Sequence, residues 1–261
     1  FRVKVIDNPT GRTAAGLNLA VKYSKNPIIV RVDGHANLPK NYISIAVELL
    51  NETGAVNVGG VMAAEGTTSF ERSVARAMRS PLGVGAAKFH TGGAAGEVDT
   101  VYLGVFKRDA LIEVGGFDEH FTRAQDWELN YRLRSKGGKI FFDPRLTVTY
   151  RPRKSLLALA KQYFEYGRWR RVVTRTHKGT INYRYLAPPV TFLAVLISLI
   201  GSILNSILII PAAIYGGFLI IAAISIGRGL LERIFLPFVL FAMQMSWGVG
   251  FLTSPKRLAK S

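Results

Sequence analysis

Between residues 188 and 227 the chain carries no Asp, Glu, Lys or Arg, and most positions are Ile, Leu, Val, Ala or Phe. A helix of about 20 apolar residues spans the hydrocarbon core of a bilayer, and this run is twice that long. Asn205-Ser206 lies near its middle and Pro211 follows soon after. The run therefore predicts a helical hairpin over 189–204 and 207–226. A third apolar run, 234–252, comes after Arg228, Glu232 and Arg233. Any one of these could be a buried helix of a soluble core, but three in succession point to a membrane.

The charge pattern supports this. The net charge is +17, and the excess sits just ahead of the apolar region, at Arg151, Arg153, Lys154, Lys161, Arg168, Arg170, Arg171, Arg175, Lys178 and Arg184. Basic residues beside a span mark its cytoplasmic side, and they attract anionic headgroups. The adjoining spans explain this charge without a nucleic-acid partner. The basic tail, Lys256, Arg257 and Lys260, would fall outside if all three segments span, against that rule. The chain has no cysteine, hence no disulfide, which agrees with a reducing compartment. It opens at Phe1, in the strand-like FRVKVID, without an initiator Met or a signal-like segment. That opening is expected of a piece lacking earlier strands and helices.

Ahead of the spans, strand-like and helix-like stretches alternate. Strands are expected at 1–7, 28–32, 55–63, 96–108, 139–142 and 147–151. Helices are expected at 13–23, 39–50, 69–79, 124–135 and 155–173, the last basic and rich in aromatics. Such alternation predicts an α/β layered domain with a mainly parallel sheet. The boundaries expected are a catalytic domain over 1–152, a basic membrane-interface segment over 153–187, transmembrane helices over 188–253 and a tail over 254–261. The Gly/Ala-rich stretch 83–96 reads as a mobile loop, with His90 either on a lid or simply exposed.

In an open α/β sheet ligands bind at the carboxyl ends of strands, and the apolar run 28–32 ends in Asp33-Gly34-His35. Asp33 can bind a sugar hydroxyl or a metal, Gly34 lets a backbone approach closely, and His35 offers a neutral nitrogen ligand. An Asp-Gly pair is equally a common turn. The second constellation begins at residue 123. Asp126, Leu129 and Leu133 share one helical face, so the leucines pull Asp126 toward the interior side of the first turn. There the helix dipole favours a carboxylate. Glu128 and Arg132, four apart, are expected to form an exposed pair worth about 0.3–0.5 kcal/mol.

In order, VDGHA, EVDTVYLGVFKRDALIEVGGFDE, AQDWELNYRLRSKGGKIFFDPRL and QYFEYGRWR resemble the family 2 inverting glycosyltransferases. The likeness is to the succinoglycan-biosynthesis type that builds exopolysaccharide. It implies a Rossmann-like nucleotide-diphospho-sugar transferase fold, the glycosyltransferase-A domain, followed by transmembrane helices. Asp33-Gly34-His35 matches the family's Asp-x-Asp motif, with His35 in place of the second acid. This makes Asp33 and His35 ligands of a divalent metal, Mn²⁺ or Mg²⁺. Asp126 matches the general base that deprotonates the acceptor hydroxyl. Gln125 stands where many members have Glu, and Trp127 where this subgroup often has Asp. Gly11 and Asn18 match the loop and helix that approach the donor. The family's first strand and uracil-binding acid have no counterpart.

Other residues carry weaker expectations. Glu97 and Asp99 sit at the start of a strand and could serve donor or acceptor, or be capping or solvated residues. The turn from Gly115 to Glu119 shapes an acceptor wall. His120 and His177 have no expected role. Gln162, Arg168 and Trp169 lack the spacing of the processive synthases' Gln-x-x-Arg-Trp signature. They fit an amphipathic helix with Tyr163, Phe164, Tyr166 and Trp169 dipping into the headgroups and Arg168 near an acceptor diphosphate. The resemblance implies transfer of a sugar from a nucleotide sugar, a UDP-hexose, to a polyprenyl-linked oligosaccharide. The implied place is the cytoplasmic face of a bacterial inner membrane. A processive synthase, a non-catalytic sugar-binding scaffold and a transporter are the alternatives. The transferase reading requires Asp126 to face the Asp33 corner across a gap sized for one hexose.

Overall fold

The computed structural model describes residues 3–34 and 36–259. In chain order, α1 (Thr13–Tyr23), β1 (Ile28–Val30), α2 (Tyr42–Thr53) and β2 (Asn57–Ala64) come first. Then follow α3 (Ser69–Met78), two single turns α4 (Pro81–Val84) and α5 (Lys88–Thr91), β3 (Gly96–Glu97) and β4 (Tyr102–Lys107). Next are α6 (Arg108–Glu113), α7 (Gln125–Ser135), β5 (Ile140–Tyr150) and α8 (Leu156–Thr176). The helices α9 (Tyr183–Gly201), α10 (Ile210–Ile226) and α11 (Leu230–Leu252) complete the chain. These fall into two compact units, residues 1–63 with 87–150, and residues 64–86 with 151–261.

The first unit is built on a five-stranded sheet of order β1-β4-β2-β5-β3. β4 runs antiparallel to both β1 and β2, so β1 and β2 are parallel to each other, as a strand–helix–strand unit should be. They are not neighbours, however, because β4 lies between them. β3 pairs antiparallel with β5. The α/β class is as expected, but the sheet is mixed rather than mainly parallel. The reason is β4, which returns from the far side of the chain and separates the two parallel strands.

Alternating side chains load both faces of this sheet. Leu103 and Val105 join Tyr42, Ala46, Leu49 and Leu50 of α2 in one apolar cluster. Phe106 turns the other way and meets Ala14, Leu111, Phe117, Leu129 and Leu133. The two short strands expected at 139–142 and 147–151 are one strand that changes phase. Ile140 and Phe142 face the α7 cluster, whereas Leu146 and Val148, also at even positions, face the α2 cluster. The switch falls at Asp143-Pro144, where proline cannot donate to a ladder and the Asp143 carboxylate accepts from Arg145 N at 2.8 Å. Gly60 fits against this kink because a Cβ there would stand 2.0 Å from the Leu146 carbonyl oxygen. The strand expected over 1–7 is not formed at the described positions, and Val3 and Val5 are exposed.

The second unit is helical. α3 starts with a capping box: Thr68 Oγ1 accepts from Glu71 N at 3.2 Å, and Glu71 accepts from Thr68 N at 3.0 Å. Its Arg72 and Arg76 pair with Glu232 at the start of α11, at 3.2 and 3.5 Å, and Phe70 meets Phe235 edge to face. α8 crosses α11 so closely that a Cβ on Gly167 would lie 2.0 Å from the Trp247 carbonyl oxygen, and one on Gly250 the same distance from that of Phe164. Small residues at such a crossing let two backbones touch. Tyr163 and Trp169 are buried within this unit, so α8 does not lay all its aromatics into headgroups as expected. Once the helix meets α11, packing takes that face.

Three segments are long and apolar enough to cross a membrane: Tyr183–Gly201, Ser206–Ile226 and Leu230–Leu252. The first two leave Val190, Ile197, Ile214 and Ile221 exposed. Continuous apolar surface of this kind needs lipid or a partner to cover it. A short 3-10 turn over Ser206–Ile209 joins α9 to α10, and Ser198 Oγ ties them by donating to Leu208 O at 2.5 Å and accepting from Ala212 N at 3.1 Å.

Candidate active site

The site forms where β1 runs out. Arg31 continues past the strand and keeps a ladder contact, its N–H donating to Gly104 O at 3.4 Å. Two residues on, with the same facing, is Asp33. Arg31 Nε donates to Asp33 Oδ1 at 3.0 Å and Nη2 to Oδ2 at 3.4 Å. The chain then turns, with Ala36 N donating to Asp33 O at 2.9 Å. A Cβ on Gly34 would meet no atom within 4 Å, so this corner is open.

Asp126 arrives from the opposite direction. It lies in the first turn of α7, just after Ala124, whose φ of 61° is left-handed. An alanine there costs about 1–2 kcal/mol, strain of the sort that collects at functional sites. Leu129 and Leu133 anchor the helix in the core. Asp126 Oδ1 accepts from Arg31 Nη1. One guanidinium thus holds both carboxylates, and the space expected between them is filled by the Arg31 side chain. Burial would lower the proton affinity of Arg31, but Asp126 and Asp33 more than offset this and raise its pKa above the ordinary value.

Behind Arg31 lies a supporting layer. Its guanidinium carbon is 5.9 Å from the centre of the Phe117 ring, and that ring packs edge to face on Phe106. The Phe117 backbone is held by Asn18, whose amide donates to Phe117 O and accepts from Phe117 N, both at 2.8 Å. Asn18 also donates to Glu119 at 3.0 Å. Arg132 grips the same turn, donating to Val114 O and Gly116 O as well as to both oxygens of Glu128. The Glu128 side chain is 1% exposed. The pair expected on the surface is therefore buried, because this face of α7 packs against the 114–117 turn rather than facing water.

The remaining expected residues divide. Gly11 adopts φ 62° in the turn before α1, where its N–H donates to Asn8 O. Gln125 and Trp127 are buried, Trp127 stacked on Tyr131 with centroids 5.7 Å apart. Asp99 pairs with Arg134 at 3.3 Å, two turns and about 12 Å further along α7 than Asp126. Glu97 is exposed on β3. The structure does not bring Glu97 or Asp99 to the Arg31 bridge. Arg168 and Trp169 belong to the second unit, where Arg168 pairs with Glu165 at 3.1 Å. His35 lies outside the described residues. His90 is half-buried rather than exposed on a loop, and burial lowers its pKa to about 4, so it is neutral at pH 7.

Arg31 and the buried role of Arg132 lie outside the expected site, and Phe117 is expected only as part of the turn from Gly115 to Glu119, not as a ring against Arg31. The signal for Arg31 was present: a single cation inside an apolar strand run, two positions before an acid. For a divalent ion, no group of three His, Asp or Glu side chains forms among the described residues. Asp33, at an open corner, would hold one through the lone pairs that Arg31 leaves, since both its oxygens already accept from that guanidinium. Mg²⁺-like ions are usually held by one or two carboxylates, with substrate phosphates completing the shell.

Comparison with known proteins identifies the family. The sequence profile described as Glycosyl transferase family 2 matches residues 1–115. The succinoglycan biosynthesis protein ExoA of Rhizobium meliloti (strain 1021) is 30% identical over 264 residues, covering 96% of this chain and 77% of that protein. The chain belongs to glycosyltransferase family 2. A second family relative, from Methanococcus voltae, is 24% identical over 204 residues, covering 76% of this chain and 62% of that protein. It is a dolichyl N-acetyl-α-D-glucosaminyl phosphate 3-β-D-2,3-diacetamido-2,3-dideoxy-β-D-glucuronosyltransferase. Among solved structures, the mannosyltransferase PcManGT of Pyrobaculum calidifontis, in complex with GDP-Man and Mn²⁺, superposes with a TM-score of 0.51. At 15% identity, over 93% of this chain and 66% of that one, it shows the shared glycosyltransferase-A fold. The family profile ends before Asp126, whereas the R. meliloti similarity extends over nearly the whole chain.

Proposed function

We propose that this glycosyltransferase moves one sugar, with inversion, from a nucleotide-sugar donor to a lipid-linked oligosaccharide in exopolysaccharide or envelope glycan synthesis. Membership of glycosyltransferase family 2 carries this reading; Asp33 and Asp126 do face each other, but one guanidinium spans them where the hexose-sized gap was expected. An inverting transfer is a single displacement. The acceptor oxygen forms its bond to the anomeric carbon as the bond to the donor diphosphate breaks. The acceptor's proton passes to a base within about 3 Å of that oxygen, and the nucleoside diphosphate leaves. Asp126, 40% exposed at the start of α7, is the base. Asp33, with His35, would hold a divalent ion, Mn²⁺ or Mg²⁺. Such an ion supplies positive charge beside the diphosphate.

The R. meliloti relative supports an exopolysaccharide product, and the M. voltae relative, named for a dolichyl phosphate-linked sugar, supports a lipid-linked acceptor. Apolar helices preceded by a basic segment support a site of action at the cytoplasmic face of a bacterial inner membrane, where a polyprenyl-linked acceptor resides. A UDP-hexose is the donor class of this reading.

The test is transfer of labelled sugar from a panel of nucleotide sugars into lipid-extractable product, in membranes carrying the protein. One donor should label the lipid fraction, and Asp126→Asn should abolish labelling while the protein remains folded. Normal transfer by Asp126→Asn would remove the base assignment.

A further inference from the structure

Asp126 is 40% exposed, and among the described residues its only ion-pair partner is Arg31. A carboxylate so placed has several open rotamers, and a base must meet its proton in one of them. Arg31 itself has little freedom. Its side chain is 7% exposed, Nε and Nη2 engage Asp33, and the Phe117 ring lies against it. The Phe117 backbone is held in turn by Asn18. A guanidinium is a planar fork with donors only, so its remaining edge fixes where an oxygen can sit.

From this geometry we infer that Arg31 is a positioning residue for the base: it sets the rotamer of Asp126 and ties it to the donor-side acid Asp33. The inference rests on the reading of Asp126 as the base. Magnitudes favour orientation over stability. An ion pair with a partner this exposed adds little to folding, whereas a misplacement of about 1 Å can cost about 10²-fold in rate. A lysine cannot replace the fork, because its ammonium is a point charge that cannot grip two carboxylates in fixed directions.

The experiment uses the full chain in membranes, with the nucleotide sugar of the panel that supports transfer. Arg31→Ala, Arg31→Lys and Asp126→Asn are compared with the parent protein, and folding is followed by thermal melting. Arg31→Ala is expected to lower kcat by about 10²-fold with the donor KM little changed. Added guanidinium chloride at low millimolar concentration should restore part of the loss in Arg31→Ala but not in Asp126→Asn. Arg31→Lys should stay close to Arg31→Ala. If Arg31→Ala keeps the parent kcat while Asp126→Asn is inactive, the positioning role is overturned and the base assignment stands. A raised donor KM at unchanged kcat would overturn it equally and assign Arg31 to the donor. Should Asp126→Asn transfer like the parent, the base itself is misassigned.

Discussion

Asn18 and Phe117, almost a hundred residues apart, are joined by two hydrogen bonds: the Asn18 amide donates to Phe117 O and accepts from Phe117 N, both at 2.8 Å. The motif match implied that Asn18 approaches the donor. In the structure its side chain closes the 115–119 turn onto α1, placing the Phe117 ring beneath Arg31. Asn18→Ala should lower stability by about 1–3 kcal/mol, since it leaves backbone groups of the turn without partners. It should also lower kcat through the loosened ring. Melting and donor kinetics check this. A raised donor KM with unchanged melting would instead restore the donor-contact role.

The Glu128–Arg132 pair separates two pictures by magnitude. As a surface pair it would contribute about 0.3–0.5 kcal/mol. With Glu128 buried and Arg132 only 23% exposed, loss of either partner leaves a poorly hydrated charge short of its main partner, and Glu128→Ala should cost about 1–3 kcal/mol. Thermal melting of the purified chain distinguishes these values. Arg132→Met should behave similarly, because it also frees the carbonyls of Val114 and Gly116.

Acid sensitivity should be traceable to one cap. Hydrogen bonds from the Thr67 hydroxyl and from the Thr68 and Thr67 backbone hold the Glu71 carboxyl at about 2, below its usual 4.5. A lowered folded-state pKa means the stabilisation is complete above pH 4.5 and is lost as the pH falls through 2. Melting temperatures measured between pH 5 and 2 should therefore fall less steeply for Glu71→Gln than for the parent, from an already lower starting point. Parallel curves would show that the cap does not hold the charged form.

Chelation should stop transfer, and added Mn²⁺ should restore it better than Mg²⁺. An imidazole at His35 suits the softer ion. His35→Asp should narrow that difference. Equal activity with both ions, unchanged by His35→Asp, would count against His35 as a ligand.

Local pattern made the elements legible. The apolar run ending at Asp33 and the leucines spaced from Asp126 located both carboxylates, since each reading needs only one strand or one helix. What the pattern could not reveal was non-local. β4 separates two strands that their own connection makes parallel, and nothing within residues 28–64 encodes that. The Glu128–Arg132 spacing is the same for a surface pair and a buried one; only the 114–117 turn packed against it decides. Arg31 stood in plain view as a cation in an apolar run, but its meaning depends on Asp126, ninety-five positions away. The membrane helices were the most legible, because lipid demands length and hydrophobicity that few other environments do.

Residues 64–86 leave the sheet-bearing unit, lay α3 along α11, and return at residue 87. A soluble version cannot be obtained by deleting the C-terminal helices alone. Truncation at residue 152 would strip the cover from Phe70 and Ser73 and strand Arg72 and Arg76 without Glu232. The product would be prone to aggregate through that bared helix, so purification calls for detergent or nanodiscs around the intact polypeptide.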